Sequence, residues 1–255
     1  MKIGVIGIGN MGSAISKGLL GKNELFLSNR GSNLDFFKDK EVSIMENREV
    51  VENSDYIILA VKPNYYKEVI DEIKDLLENK VFISIAAGFT IEKLENLLGE
   101  DKKIVMTMPN TPASVGEGMS ILCPNSKVNE EEFLNVLEIF SSFGKALKID
   151  ENQFDAASVV NGCLPAFVDL FIESLSDGAV LCGLKRDISY KLIAQTIIGS
   201  AKLMENSGDH PGLLKDKVTS PKGTTIEGVK ALEENDFRAG LIKAVEASFN
   251  KSKNM

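Results

Sequence analysis

Short apolar runs alternate with amphipathic segments over the first part of the chain. Five runs rich in β-branched residues have the length of strands, and they lie at residues 2–7, 25–29, 55–61, 81–86 and 104–108. Their nearly continuous hydrophobicity is typical of strands that are buried on both faces. Polar segments with helical spacing lie between them, as at residues 65–77 and 91–98. This alternation predicts an α/β domain with a doubly wound, parallel sheet.

The pattern changes at about residue 150. Two further strand candidates, residues 118–123 and 145–149, enclose a helix at about residues 130–140 and complete the first part. The later part carries helical patterns, which lie at residues 154–160, 166–182, 188–206, 225–234 and 237–249. We therefore predict two domains, a doubly wound α/β domain at residues 1–150 and an all-α domain at residues 151–255.

The predicted helices of the second domain are strongly apolar. The helix at residues 166–182 leaves only a narrow polar face. This much apolar helix surface is buried more easily against a second copy than within one chain, which predicts a dimerisation domain. We expect a homodimer or a higher homo-oligomer built from dimers. A compact helical domain folded on itself is the alternative.

Composition and charge narrow the classes of partner. The chain has 29 Lys and Arg against 37 Asp and Glu, a formal net charge of −8, so we expect neither nucleic acid nor a membrane as a partner. The three separated cysteines and the single histidine, His210, predict reduced thiols and no metal site. The chain shows no signal-peptide pattern and no run of about eighteen apolar residues. We therefore expect a cytoplasmic location.

A glycine-rich turn follows the first predicted strand. Gly7, Gly9 and Gly12 have the spacing G-x-G-x-x-G, with a strand before them and a helix after them. In this context Gly7 permits a tight turn, Gly9 lets a pyrophosphate approach the backbone, and Gly12 lets the helix pack closely on the strand. The motif predicts a dinucleotide-binding Rossmann domain.

The end of the second predicted strand indicates which dinucleotide binds. It reads Ser28, Asn29 and Arg30, with no carboxylate for a ribose 2′-hydroxyl and with a guanidinium that could pair with a 2′-phosphate. This composition favours NADPH, with NADH possible as a second cofactor.

Three more segments end predicted strands at the edge where such sheets bind ligands. Ala60, Val61, Lys62 and Pro63 form a loop that could cover the cofactor ribose, or carry a surface lysine before a helix. Residues 86–88 and 108–118, which include Ala86 and the pair Asn110–Thr111, are small or polar and leave room for a nicotinamide ring.

Residues 219–228, here called the hydroxyl loop, read TSPKGTTIEG and open an apolar-striped helix. Thr224 and Glu227 have the spacing of a capping box. The free N–H groups of a helix N-terminus could hold a carboxylate or a phosphate. An ordinary capped helix is the alternative.

Taken together, the segments GIGNMGSAI, AVKP, MPNTPASVGEG and TSPKGTTIEG resemble the pyrroline-5-carboxylate reductase family from Met1 to about Phe249. The resemblance implies an N-terminal Rossmann domain, a helical dimerisation domain, and NAD(P)H-dependent reduction of 1-pyrroline-5-carboxylate to L-proline, the last step of proline biosynthesis.

The resemblance also implies roles for particular residues. Backbone N–H groups around Gly223, Thr224 and Thr225 would hold the substrate carboxylate, and Thr225 matches the threonine near the ring nitrogen. Ser220 matches the serine that starts the hydroxyl loop, and it joins Thr225 as a candidate catalytic residue. Apart from the resemblance, the charge of Lys222 and the polar side chain of Asn110 make them further candidate substrate ligands. The family touches its cofactor at positions that match Asn10, Met11, Gly12, Ser13, Asn29, Arg30, Asn53, Lys62 and Ala86.

The chain departs from the family at several positions. Lys222 stands where glycine is usual, residues 161–167 read NGCLPAF where smaller residues are usual, and Glu227 would compete for helix N–H groups if it formed a cap. Lys222 could supply a cation beside the carboxylate or point into solvent. The departures keep two other functions open, a same-fold reductase of another imine or keto acid and a non-catalytic, regulatory NADP-binding paralogue.

The chemistry of imine reduction needs little acid catalysis. An iminium carbon is already electrophilic, so positioning can supply most of the acceleration. The hydroxyl of Thr225 is too weakly acidic for a conventional proton donor, and we expect it to orient the nitrogen. His210 precedes Pro211 and Gly212, and we expect it to bind backbone carbonyls rather than to act as an acid.

Overall fold

The computed structural model describes residues 1–31 and 34–253. Its centre is an eight-stranded sheet with the strand order β3-β2-β1-β4-β5-β6-β7-β8. The strands are β1 (Lys2–Ile6), β2 (Glu24–Ser28), β3 (Val42–Ile44), β4 (Tyr56–Leu59), β5 (Val81–Ser84), β6 (Lys103–Pro109), β7 (Gly118–Pro124) and β8 (Gly144–Lys148). The predicted doubly wound α/β fold is therefore confirmed.

One strand departs from the predicted parallel arrangement. β7 runs antiparallel to β6, with Met106 opposite Cys123, whereas the other neighbouring strands are parallel. The connection after Pro109 contains only a short 3-10 turn, Thr111–Val115. A parallel crossover needs a dozen or more residues, so this short connection forces the chain to reverse.

Helices cover both faces of the sheet. They are α1 (Asn10–Leu19), α2 (Asn47–Asn53), α3 (Tyr66–Ile73), α4 (Ile91–Leu98) and α5 (Glu130–Ser141). Two clusters of buried apolar side chains form the core, one of them built around Ile3, Val5 and Ile83 and the other around Ile57, Leu59 and Phe82. Neighbouring residues of a strand enter different clusters because successive side chains point to opposite faces.

The remaining helices confirm the all-α character predicted after residue 150. They are α6 (Glu151–Leu181), α7 (Arg186–Ser207), α8 (Pro211–Lys217), α9 (Thr224–Glu234) and α10 (Phe237–Ser252). The sequence pattern predicts two helices between residues 154 and 182, but α6 is one helix that contains Pro165.

A side chain from the turn after β6 compensates for the proline in α6. Pro165 has no N–H group, so the carbonyl of Asn161, four residues earlier, lacks its usual helical donor. The side-chain amide of Asn110 donates to that carbonyl at 3.4 Å and to the Asn161 side-chain oxygen at 3.2 Å. The helix therefore continues through a residue that would otherwise interrupt it.

Packing divides the chain into two compact units. Met1–Pro165 and described residues 249–253 form the sheet unit, and Ala166–Ser248 forms the helical unit. The first turns of α6 belong to the sheet unit because Phe154, Val159 and Asn161 are buried there. The predicted domain boundary at residue 150 coincides with the end of the strands, while compact packing divides inside α6.

The helical unit leaves many large apolar side chains exposed. A groove of about 780 Å³ lies on it, lined mainly by apolar residues of α6, α7 and α8 such as Phe171, Ile197 and Leu214. By length and composition alone, α6 would also be apolar enough to span a membrane, which is weak evidence for such a role. An unpartnered apolar surface of this kind is typical of a protein–protein interface.

Candidate functional site

A cavity of about 490 Å³ lies at the carboxyl edge of the sheet, where β1, β2 and β4 end. Open α/β sheets bind ligands at this edge. The cavity is lined by Ile6, Gly7, Gly9, Ser28, Asn29, Arg30, Gly31, Asn47, Ala60, Val61, Lys62, Tyr65 and Val69. It therefore brings together seven residues that the sequence analysis assigned to the cofactor: Gly7, Gly9, Asn29, Arg30, Ala60, Val61 and Lys62.

The glycine-rich turn is shaped for the close approach of a ligand. Gly7 has a φ of 97°, which favours glycine, and its N–H donates to Ser28 O at 2.8 Å. A Cβ on Gly12 would overlap the carbonyl oxygen of Gly7. A Cβ on Gly9, in contrast, would meet nothing within 4 Å. Gly9 is also the N-cap of α1, and no side chain caps the first N–H groups of this helix. The turn fits a pyrophosphate.

Asn29 has a definite structural task at this turn. Its side-chain oxygen accepts a hydrogen bond from the N–H of Ile8 at 3.1 Å. The end of β2 is thereby tied to the middle of the glycine-rich turn. Asn29 thus fixes the backbone that approaches the ligand, a contact that the order of residues alone does not reveal.

Arg30 lies at the same edge but is already paired. Its guanidinium donates to Glu68 Oε1 at 2.5 Å and lies 3.6 Å from Glu72 Oε2. The hydrogen bond to Glu68, followed by the charge of that carboxylate, raises the pKa of Arg30. Arg30 therefore stays a cation, and α3 supplies the anions that face it.

The geometry favours Asn47 over Asn53 as the asparagine of this site. Asn47 begins α2 at the cavity, where its side chain accepts from Ser28 Oγ at 2.7 Å and donates to Glu72 at 2.9 Å. Asn53 ends α2, and its side chain donates to the carbonyl of Glu49. The two differ because α2 runs away from the carboxyl edge. The capping box of Glu46 and Glu49 is the sequence signal that places the helix start beside Asn47.

The other predicted cofactor residues are not among those that line the cavity. Asn10, Met11 and Ser13 lie in the first turn of α1, and Pro63 begins a 3-10 turn. Ala86 is buried just after β5. Tyr65, which the sequence analysis missed, lines the cavity from the 3-10 turn and is 52% exposed. The aromatic ring of Tyr65 thus adds an apolar surface beside Lys62.

The hydroxyl loop in the helical unit differs from its predicted capping. The N-cap of α9 is Gly223, without a side-chain cap, and the capping box of Thr224 and Glu227 does not form. A glycine N-cap has no oxygen that could occupy the free N–H groups of the first turn. In the described structure Glu227 therefore forms no cap and does not compete for the free N–H groups of α9. Thr224 and Thr225 are exposed.

Lys222 has an unusual backbone conformation. Its φ is 59°, in the left-handed region, and it is exposed. Glycine adopts this region without a steric cost, which explains why a glycine suits the position. Ser220, also exposed, accepts a hydrogen bond from Gly223 N through its carbonyl at 3.0 Å. The tight turn that forms the loop therefore depends on the backbone of these residues.

His210 has a structural role that differs from the expected one. Its Nδ1 accepts a hydrogen bond from the N–H of Gly212 at 3.1 Å, so it caps α8. The sequence predicts instead that His210 binds backbone carbonyl groups. His210 accepts a hydrogen bond here instead of donating one, because it precedes α8 and meets the free N–H groups of the first turn of that helix.

Asn110, a predicted substrate ligand, is engaged within the sheet unit. Its side-chain oxygen accepts from Met119 N at 2.8 Å, while its amide donates to Asn161. Asn161 in turn donates to the carbonyls of Met108 and Met119 at 2.7 and 2.9 Å. Among the described residues, no group of His, Cys, Asp and Glu side chains could hold a metal ion.

Two family profiles match the chain. The profile described as pyrroline-5-carboxylate reductase dimerisation matches residues 151–255, and that described as NADP oxidoreductase coenzyme F420-dependent matches residues 2–88. The two matches fall on the helical part and on the glycine-rich part respectively.

Relatives that match the chain over its full length are also named pyrroline-5-carboxylate reductase. The pyrroline-5-carboxylate reductase of Escherichia coli strain K12 is 42% identical over 264 residues, which cover 100% of this chain and 98% of that protein. The reductase of Arabidopsis thaliana is 40% identical over 263 residues, with coverages of 100% and 95%.

Solved structures of proteins with this name also match the chain. A crystal structure of Plasmodium falciparum pyrroline carboxylate reductase with NADP bound is 40% identical and has a TM-score of 0.89, with 100% of this chain and 97% of that chain covered. A pyrroline-5-carboxylate reductase from Coxiella burnetii is 35% identical, with a TM-score of 0.93 and coverages of 99% and 97%. The chain therefore belongs to the pyrroline-5-carboxylate reductase family.

Proposed function

We propose that this protein reduces 1-pyrroline-5-carboxylate to L-proline and that it uses NADPH, with NADH as a possible second cofactor. The observation that carries the proposal is the likeness to named reductases over the whole chain at about 40% identity. The open glycine-rich turn and the adjacent Arg30 support the choice of a dinucleotide. This reaction is the last step of proline biosynthesis.

The residues of the cavity divide the work of holding the cofactor. The first turn of α1, at Asn10 and Met11, presents N–H groups to the pyrophosphate, and Ser13, whose own N–H donates to Gly9 O at 2.9 Å, lies in the same turn. Arg30 and Lys62 supply positive charge at the cavity. Ala86, just after β5, leaves space beside a nicotinamide ring, which when bound supplies a hydride for the imine carbon.

The hydroxyl loop supplies a matching site for the substrate carboxylate. The uncapped first turn of α9, around Gly223, Thr224 and Thr225, offers N–H groups and the positive end of a helix dipole. Ser220 and Thr225 place hydroxyl groups at the same helix start, where Thr225 orients the ring nitrogen. Orientation suffices because the iminium form of the substrate is already electrophilic.

The direct test is an assay of the purified protein with NADPH and 1-pyrroline-5-carboxylate, followed by the loss of nicotinamide absorbance. We expect a turnover above about 1 per second, in the range of typical enzymes. Faster turnover of another imine or keto acid would favour a same-fold reductase of different specificity. Cofactor binding without turnover of any imine would favour a non-catalytic, regulatory paralogue.

We further propose a cytoplasmic enzyme that forms homodimers or a higher homo-oligomer built from dimers. The match to a dimerisation family and the exposed apolar helices support this assembly. Sedimentation of the full chain would test it, because a monomer at micromolar concentration would contradict the proposal.

A further inference from the structure

An ion-pair cluster lies beside the cofactor cavity, and its members come from two parts of the fold. Arg30 follows β2, while Glu68 and Glu72 project from α3. The guanidinium uses Nη1 for Glu68 Oε1 at 2.5 Å and places Nη2 3.6 Å from Glu72 Oε2. Both of these nitrogens therefore face carboxylates of the chain itself.

Glu72 is held in position by a second set of contacts. Its Oε2 accepts from Asn47 Nδ2 at 2.9 Å, and Asn47 Oδ1 accepts from Ser28 Oγ at 2.7 Å. Ser28 and Asn47 are buried, and Glu72 is the less exposed of the two carboxylates, at 33% against 56% for Glu68. Glu72 is thus a fixed anion rather than a freely moving side chain.

Three carboxylates act on the charge of Arg30. Glu68, Glu72 and Glu46 all act on the guanidinium. A second cavity of about 470 Å³ lies in this region and is lined by Arg30, Glu46, Asn47 and Glu72 among others. The nearby Arg48 donates to both carboxylate oxygens of Asp75, at 2.9 and 2.7 Å, and to the backbone carbonyl of Glu72 at 2.6 Å. A ribose 2′-phosphate that approached Arg30 would meet these carboxylates as well.

We propose that Glu68 and Glu72 determine the cofactor specificity of this reductase by holding Arg30 and opposing a ribose 2′-phosphate. NADPH must displace the carboxylates from the guanidinium, whereas NADH, which lacks the phosphate, has no such requirement. The two glutamates therefore reduce the preference for NADPH that Arg30 alone would create, and the enzyme accepts both cofactors. This inference rests on the proposed use of a nicotinamide dinucleotide.

The test compares equilibrium binding of NADPH and NADH, measured by nucleotide fluorescence. The variants are Glu68→Gln, Glu72→Gln and their combination, which keep the side-chain shape, and the new amide oxygen at position 72 can still accept from Asn47. Asp71→Asn is the matched control, because it also removes one negative charge from α3. Native Asp71 pairs with Lys67 and Lys74 and not with Arg30. A thermal melt of each variant checks its folding.

We expect the combined substitution to tighten NADPH binding about tenfold and to change NADH binding less than about twofold. Glu68→Gln alone, at the more exposed position, should tighten NADPH binding about threefold. When Arg30→Gln is also present, the combined substitution should raise the NADPH affinity clearly less, because there is no guanidinium left for the carboxylates to hold.

Three results would overturn the inference. One is an unchanged ratio of NADPH to NADH affinity in the combined variant while the wild type binds NADPH. Another is an equal gain in NADPH affinity in Asp71→Asn and in Glu68→Gln, which would reveal a general charge effect. A wild type that binds neither nucleotide would overturn both this inference and the proposed function.

Discussion

Asn161 joins three stretches of the sheet unit through one amide group. It contacts the carbonyls of Met108 on β6 and Met119 on β7, and it accepts from Asn110 while lying within α6. Asn161 is buried, so the groups that it satisfies have little access to water. The family departure at this position therefore has a structural reason, the attachment of α6 to the sheet.

The substitution Asn161→Ala should destabilise the protein. It leaves two backbone carbonyls without their side-chain donor, which we expect to cost about 2 to 3 kcal/mol in the free energy of unfolding. Denaturant unfolding followed by circular dichroism measures this change. Asn53→Ala removes an asparagine from an exposed helix end and should cost less than about 1 kcal/mol. Equal losses in both variants would contradict the proposed attachment.

The substitution Lys222→Gly should stabilise the helical unit. Lysine at a φ of 59° carries a steric cost that glycine avoids, and the gain should exceed the entropy that glycine loses on folding, leaving about 0.5 to 1 kcal/mol. A thermal melt measures the gain. Lys230→Gly, the same change inside α9, should instead destabilise by about 1 kcal/mol.

The same variant tests whether Lys222 helps to hold the substrate. Because Lys222 is exposed, we expect the KM for 1-pyrroline-5-carboxylate and its dependence on salt to change less than about twofold. A larger rise in KM that disappears at high salt would assign the lysine a role as a cation beside the carboxylate.

At the scale of elements, the start of α1 separates two uses of glycine. Gly12 is needed for packing, because a Cβ there would overlap the Gly7 carbonyl, whereas the corresponding space at Gly9 is open. The same Gly→Ala change should therefore damage different properties at the two positions.

Gly12→Ala should lower the stability by about 1 to 3 kcal/mol, since α1 must move away from the turn after β1. Gly9→Ala should change the stability by less than about 1 kcal/mol but weaken NADPH binding at least about tenfold, because the methyl group occupies the space open to the pyrophosphate. Melting temperatures and fluorescence titrations measure the two effects. Retained NADPH affinity in Gly9→Ala would contradict the placement of the cofactor.

The sequence pattern predicts most of the elements, and its failures have physical causes. The long buried strands are predicted because continuous hydrophobicity marks burial on both faces. β3 is missed because it is short and partly exposed, and α6 is predicted as two helices because Pro165 suggests a break. The donor that removes this break, Asn110, lies far away in the sequence, so local patterns could not reveal it.

The candidate site shows the same limit. The spacing of Gly7, Gly9 and Gly12 predicts the turn, because the motif is local. Asn47 and the pairing of Arg30 with Glu68 could not be predicted in this way, because they depend on how α2 and α3 pack beside β2. The candidate residue Asn53 comes from the family resemblance, which carries no information on how α2 packs.

At the scale of the whole molecule, the exposed apolar surface of the helical unit should control assembly. Leu203→Glu places a charge beside the apolar groove, at a side chain that is 57% exposed. We expect it to weaken the proposed dimer at least about tenfold, because a buried charge would need a partner. Leu134→Glu, at an equally exposed position on α5 in the sheet unit, should leave the assembly unchanged. Analytical ultracentrifugation distinguishes the two, and equal dissociation constants would contradict the assigned interface.

The order of the two units along the chain has a consequence for synthesis on the ribosome. The sheet unit is formed almost entirely by the first 165 residues, and its core is closed by its own helices. It can fold while the remaining residues are still being translated, which takes about 5 to 20 seconds. The apolar helical surface emerges after the sheet unit, and in the proposed dimer it stays exposed until a second copy binds. Neighbouring ribosomes on one messenger RNA would supply such copies nearby, so we expect the period of greatest aggregation risk to follow the folding of the sheet unit.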